Sequence, residues 1–324
     1  MDNSRNSEIR KNPFTGDWII YSQSRQKRPD RDDDYCPFCA GGEDYNDFSK
    51  PKVIPNKYPA LDPEVNFQAY RLGPFLEKQT GFGHCQIVVY TQVHNTKFYK
   101  LDHEKVLEIF QTWIKATREL KKQQNIQYVL PFENYGAEVG ATLLHPHGQL
   151  YGFPFIPNEI NKEFAKLVEY KHKTGKCMTC VYLAEEQKRK ERIIYEDDFI
   201  LILVPFFAKY AYDIFIYPKR HVSFLEQTTQ REKESLAIHL LKAINALNKL
   251  FGKEVSYSMS LHQAPINVKH TIVFHLYFKI HTPQRSKESL KLLGAVETST
   301  NTYINGVFPE DAASELRKIL NEMG

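Results

Sequence analysis

The chain has 324 residues, enough for two domains, and its 42% apolar and 25% charged content is that of an ordinary globular protein. A net charge of +4 is too small for this length to argue for a nucleic-acid partner, and no apolar run is long enough to cross a membrane. The start, Met1 to Asn12, is polar and lacks the apolar core of a secretory leader; the five cysteines, an odd number with two Cys-x-x-Cys pairs, suit thiolate ligands in a reducing compartment, so the expectation is a cytoplasmic protein.

In chain order, the first chemical signal is Cys36-Pro-Phe-Cys39, which has the knuckle spacing of a zinc site and needs two more ligands from elsewhere. An apolar strand over 84–94 ends in His94. A helix follows over about 102–122, with Val106, Ile109, Phe110, Trp113, Ile114, Thr117 and Leu120 on one face. A strand over 127–131 and a loop lead to His145-Pro-His147-Gly-Gln149. Two histidines two residues apart on extended chain share a face, so one can hold a metal while the other reacts. His94 and His145 are the candidates to complete the knuckle site.

A highly charged stretch, 162–190, predicts a solvated helix between two halves. It contains Cys177-Met-Thr-Cys180, for which no His or Cys partner stands at a justifiable spacing, so a free thiol pair is favoured over a second metal. Cys85, in an apolar strand, reads as core. The second half then repeats the first: a strand over 212–221 ending in His221, a helix over about 229–250, a strand over 255–261, a loop, and a strand over 273–280. His94 to His145 spans 51 positions and His221 to His275 spans 54. His145-Pro-His147-Gly-Gln149 aligns with His275-Leu-Tyr277-Phe-Lys279, so the second half has no second histidine. This predicts an α+β protein of two tandem halves, each an antiparallel sheet with packed helices, joined in one extended sheet. The boundaries read as 1–160 for the catalytic half, 161–195 for the connection and 196–324 for the half without a nucleophile.

The stretch Glu133-Asn-Tyr-Gly through His145-Pro-His147-Gly-Gln149 resembles the active-site segment of galactose-1-phosphate uridylyltransferases, a branch of the histidine-triad superfamily. Asn12-Pro-Phe-Thr-Gly-Asp-Trp18, Arg25-Gln-Lys-Arg28-Pro29 and Pro55-Asn56-Lys57-Tyr58-Pro59 extend the likeness over the whole chain. The resemblance implies zinc held by Cys36, Cys39, His94 and His145. It implies His147 as the nucleophile that takes a nucleotidyl group from a nucleotide sugar, with its other nitrogen fixed by a backbone carbonyl. It places Gln149 where hydrolytic members carry a third histidine, which favours transfer over hydrolysis. It implies contacts to nucleotide sugar and sugar 1-phosphate from Arg25, Arg28, Asn56, Asn134, Lys291 and Glu297, and a homodimer through the two arginines.

Some members carry a second metal, iron or zinc, on a glutamate and three histidines. Glu163, His262 and His275 match three of these positions and Tyr277 replaces the fourth, which weakens the site. Leu143-Leu144 before His145, and Lys57 in place of an acidic residue, also depart from the pattern. The leading expectation is exchange of UMP between UDP-glucose and a hexose 1-phosphate. An ADP-sugar or dinucleotide phosphorylase that uses the same histidine stays open, as does a nucleotide-binding protein without catalysis.

Overall fold

The structure is a computed structural model in which residues 7–27 and 35–323 are described. A four-stranded antiparallel sheet is built from β1 (Ser7–Lys11), β2 (Trp18–Ser22), β4 (Ala69–Arg71) and β5 (Glu77–Thr80), in the order β2-β1-β5-β4, with a short helix, α1 (Gln23–Gln26), after β2. Everything else rests on one nine-stranded antiparallel sheet. Its first-half strands are β3 (Lys52–Pro55), β6 (His84–Val89), β7 (Tyr128–Tyr135) and β8 (His147–Phe153). Its second-half strands are β9 (Ile193–Glu196), β10 (Ile200–Leu203), β11 (Ile214–Pro218), β12 (Tyr257–His262) and β13 (Tyr277–His281).

The spatial order is β3-β6-β8-β7-β12-β13-β11-β10-β9. The triplet β6-β8-β7 is mirrored by β12-β13-β11 across the β7–β12 seam, so the repeat in the sequence is a two-fold pseudosymmetry of the sheet. At the seam Tyr257 pairs with Tyr135 and Ser258 with Asn134. The expected continuous sheet of two antiparallel halves is the architecture found.

One face is covered by α2 (His103–Lys121) and α5 (Gln230–Phe251), the equivalent helices of the repeat, with α7 (Pro309–Met323) beside α5. The seven residues assigned to the inner stripe of α2 are all buried. Asp102 caps its N-terminus by accepting from the Lys105 amide at 2.6 Å. Thr229 and Glu232 form a capping box on α5. Each cap is worth about 1 kcal/mol. The helices and the inward residues of the strands, Val88, Leu150, Met259 and Phe278 among them, make the main core.

The charged connection is two helices, α3 (Asn158–Thr174) and α4 (Met178–Arg189), where one was expected. Gly175, at φ +71°, ends the first with a left-handed turn that a residue with a side chain adopts only at a cost. Nor are they merely solvated: Ile160, Leu167 and Leu183 pack on Tyr128, Leu203, Phe215 and Tyr277 across the other face of the sheet. In the second half this face is therefore covered over Phe215 and Tyr277. In the first half it opens into the cleft described next. The remaining helix, α6 (Ala295–Thr300), lies in the segment before α7.

Candidate active site and metal clusters

Strand β8 begins at His147, so His145 sits just before the strand rather than on it. Both rings still turn to the same side, where Phe38 packs edge-on to His145 at 5.5 Å and against His147 at 5.9 Å. Phe38 is one of the two residues between the knuckle cysteines, 1% exposed, and sequence reasoning gave it no role.

Cys36, Cys39, His94 and His145 converge, with their ligand atoms all within 4.8 Å of one another. Cys39 Sγ lies 3.3 Å from His94 Nδ1 and 3.6 Å from His145 Nδ1, and Cys36 Sγ lies 3.6 Å from His145 Nδ1. A tetrahedral zinc with Zn–S of about 2.3 Å and Zn–N of about 2.0 Å would put sulfur and nitrogen about 3.5 Å apart, so the cage has the right size. The Thr91 carbonyl can only accept, so His145 donates Nε2–H to it at 2.8 Å and presents the Nδ1 lone pair to the cage. Burial lowers the His145 pKa and keeps that lone pair available.

A second cage has the same construction. Cys177, Cys180, His221 and His275 also bring their ligand atoms within 4.8 Å. Cys180 Sγ is 3.5 Å from Nδ1 of both His221 and His275. The outer nitrogens donate to backbone carbonyls, His221 to Ile272 and His275 to Pro218, each at 2.8 Å. This corrects two expectations. The Cys177–Cys180 pair does have histidine partners, and His275 belongs with them rather than with Glu163 and His262. The signal lay in the repeat itself: each half offers a Cys-x-x-Cys, a histidine after the first strand and a histidine before the last.

With His275 engaged at both nitrogens, Glu163 and His262 cannot assemble the three-histidine site. Tyr277 donates its hydroxyl to Glu163 Oε2 at 2.9 Å, and the His262 ring stacks on Tyr277 at 4.6 Å. The group does not fit a metal. It is a buried cluster closed on itself, in which burial pushes the Glu163 carboxyl up to about 7 and the His262 imidazole down to about 3.

The cleft of the first half has a volume of about 190 Å³ and is lined by His147 and Gln149 from β8, Ile87 from β6, Arg25, Asn56, Tyr58, Thr142 and the knuckle residues Pro37 and Phe38. His147 donates Nδ1–H to the His145 carbonyl at 2.7 Å. That bond fixes the neutral tautomer in which Nε2 carries the lone pair. Asn134 lies two residues beyond Phe132, the partner of Gln149, on the same face of β7. Its Oδ1 accepts from Ser258 at 2.8 Å.

Lys57, at the mouth, pairs with Glu43 at 2.6 Å and Asp44 at 3.3 Å, so the departure from an acidic residue is compensated by acids from the knuckle loop. Lys291 and Glu297 pair with each other at 3.0 Å, both nearly buried, and are not among the residues lining this cleft. Arg28 lies outside the described residues.

Among the described residues no helix is long and apolar enough to cross a membrane. The model for the N-terminal domain of galactose-1-phosphate uridyl transferase matches residues 1–157, and that for the C-terminal domain matches 163–320. A galactose-1-phosphate uridylyltransferase from Thermotoga maritima is 39% identical over 96% of this chain and 98% of its own. An ADP-glucose phosphorylase from Arabidopsis thaliana is 28% identical over 98% of this chain and 94% of its own. Among solved structures, a uridylyltransferase superposes with a TM-score of 0.87 at 30% identity, covering 98% of this chain and 99% of that one. An Arabidopsis thaliana ADP-glucose phosphorylase with bound ADP-glucose gives 0.74 at 28% identity, covering 96% of this chain and 99% of that one. With both domain models matched in order and the fold shared end to end, the chain belongs to the galactose-1-phosphate uridylyltransferase family.

Proposed function

We propose that the protein transfers a uridylyl group between UDP-glucose and a hexose 1-phosphate through a covalent intermediate on His147. The observation that carries this is the 2.7 Å bond from His147 Nδ1–H to the His145 carbonyl, at the floor of a cleft that also holds Gln149, Arg25 and Asn56. Nε2 attacks the α-phosphorus in line, the phosphorus–oxygen bond to glucose 1-phosphate breaks, and glucose 1-phosphate departs. A hexose 1-phosphate, galactose 1-phosphate in the leading case, then attacks the same phosphorus and releases His147 as neutral imidazole. Little covalent work falls to other groups, so positioning and charge stabilisation dominate. Gln149 donates an amide N–H to a phosphate oxygen and cannot relay a proton to water. Arg25 supplies positive charge. Asn56 and Asn134 hold the nucleotide.

Cys36, Cys39, His94 and His145 hold zinc, and Cys177, Cys180, His221 and His275 hold a second zinc of the same kind. Four protein ligands leave no position open to water, so each metal is structural and fixes the segment that precedes His147 or Tyr277. Lys291 and Glu297 lie away from their own chain's cleft, which supports a homodimer in which each copy completes the sugar end of the other's site. Arg28 would reach the partner's phosphates in the same assembly.

The likeness to ADP-glucose phosphorylase favours a second reading on the same chemistry, an adenylyl group passed to inorganic phosphate. Incubation with UDP-glucose or ADP-glucose, without acceptor, followed by intact mass measurement separates the two. A uridylyl adduct discharged by galactose 1-phosphate supports the transferase. An adenylyl adduct discharged by phosphate supports the phosphorylase. The absence of either adduct, with His147→Ala as control, would overturn both.

A further inference from the structure

Glu133 stands beside Asn134 on β7 but points the other way, into the core beneath the sheet, and is 4% exposed. The groups that face it are phenols from two neighbouring elements. Tyr257 of β12 donates to its Oε1 at 2.7 Å. Tyr90, one residue past β6, faces it from the other side, and among the described residues neither Glu133 Oε2 nor the Tyr90 hydroxyl has a partner in hydrogen-bond geometry. Further out along Tyr257 lie Tyr99 and the carboxylate of Glu254, neither of them a cation. A carboxylate buried among phenols would cost several kcal/mol. A neutral acid costs far less, accepts from Tyr257 on one oxygen and offers O–H toward Tyr90 with the other.

Tyr90 brackets the nucleophile. Its backbone N–H donates to the Pro146 carbonyl at 3.2 Å, on one side of His147. Its hydroxyl presses against Gly148 on the other side, where an added Cβ would come within 2.0 Å of it. Glycine is therefore required at 148 by close approach from beneath, with no demand from its own dihedral angles.

We propose that Glu133 is a positioning residue, a neutral acid that holds Tyr90 in place and through it sets the His147-Gly148-Gln149 segment. The reading of His147 as the nucleophile underlies this assignment. Burial also pushes the Glu133 carboxyl up to about 8, so its proton leaves just above neutral pH and places a charge beneath the strand.

The test is the rate of nucleotidyl adduct formation by the full chain between pH 6 and 9.5, at saturating and limiting UDP-glucose. The wild-type rate should fall at least about fivefold above pH 8, with the loss in the maximal rate rather than in KM. Glu133→Gln, which keeps an acceptor and a donor but cannot ionise, should restore a flat profile. Glu133→Ala should lose about tenfold at every pH. Gly148→Ala should be inactive and partly rescued by adding Tyr90→Phe, which removes the obstructing hydroxyl.

A Glu133→Gln protein with the wild-type alkaline fall, or a Glu133→Ala protein as fast as wild type, overturns the proposal. Should Glu133→Gln fail to fold, Tyr257→Phe removes a bond that favours the ionised form and should move the alkaline limb to higher pH; an unmoved limb overturns it. If wild type forms no adduct with any donor, the transferase reading fails on its own account. Glu133 is then decided by melting: a Tm that falls less steeply from pH 7 to 9.5 in Glu133→Gln than in wild type supports the neutral acid, and parallel curves overturn it.

Discussion

The two halves of the molecule carry the same cage at the same strand ends, with the same second bonds from histidine to backbone carbonyl, yet they open differently. The first half's cleft opens on His147 and Gln149, beyond its cage, while the second half's pocket lies over the cage residues Cys177, Cys180 and His221 and leaves Tyr277 buried. The difference lies in three residues after the second cage histidine. His147, Gly148 and Gln149 become Tyr277, Phe278 and Lys279. Gly148 admits the Tyr90 hydroxyl from beneath, while Phe278 fills that space itself and stacks on Phe110 at 5.5 Å. His147 faces an opening, while the Tyr277 hydroxyl is taken by Glu163 of α3, the helix that covers the second half. The cage is thus a frame that can serve chemistry or packing, and what stands two residues beyond it decides which.

The largest expected break in the comparison is chemical. His147→Ala should lower the transfer rate by at least about 10⁴-fold, as removal of a covalent nucleophile does. Tyr277→Phe should leave the rate within about twofold, because Tyr277 is closed onto Glu163 and His262 and does not line the cleft. Steady-state kinetics on both variants checks the asymmetry; a large loss in Tyr277→Phe would show that the halves are coupled in catalysis.

The cages come next. Metal analysis should find two zinc ions per chain, and one in either Cys39→Ser or Cys180→Ser. Each variant should lose at least about 10 °C in Tm, since a structural zinc contributes binding energy directly to folding. Only Cys39→Ser should lose its activity at temperatures where both remain folded.

A smaller effect concerns pH. Burial lifts the folded Glu163 carboxyl to about 7 from its ordinary 4.5, so the stability it gives as a neutral acid is complete below pH 4.5 and is lost as pH rises through 7. His262, pushed down to about 3 from 6.5, acts in the opposite sense: its contribution is complete above pH 6.5 and is lost as pH falls through 3. Glu163→Gln should therefore flatten the decline in Tm between pH 5 and 8 and leave the acid side unchanged. Equal alkaline slopes in the two proteins would refute this. The smallest expected change is Asp102→Ala, which removes the α2 cap and should cost about 1 kcal/mol in denaturant unfolding without altering kinetics.

Most of this frame was legible in the sequence because it obeys short-range rules. The α2 stripe from Val106 to Leu120 follows helical period, and β6 and β11 read as apolar runs ending near a histidine. His94 and His145 could be joined to the Cys36 knuckle because the resemblance supplied a tertiary contact that spacing alone does not. The second cage escaped for the complementary reason. Cys177 and Cys180 come before His221 and His275 on a connecting helix with no counterpart in the first half, so the repeat register stopped short of them. The roles of Phe38 and Tyr90 were also invisible, since each acts by packing against a residue far away in the chain. Glu163 was recognised as a match but misplaced in function, because nothing local announces that Tyr277 will bond to it.

The seam between β7 and β12 sets a limit on how far the silent half can drift. Tyr257 and Ser258 lie on the silent side, and their hydroxyls hold Glu133 and Asn134 on the active side. Substitutions at Tyr277 or Lys279 cost only local packing, but the same freedom at 257 or 258 would loosen two residues next to the nucleophile. Evolution could erase the chemistry of one copy while remaining bound to its border strand. A surviving duplicate of this kind is held in place as a mould for its twin.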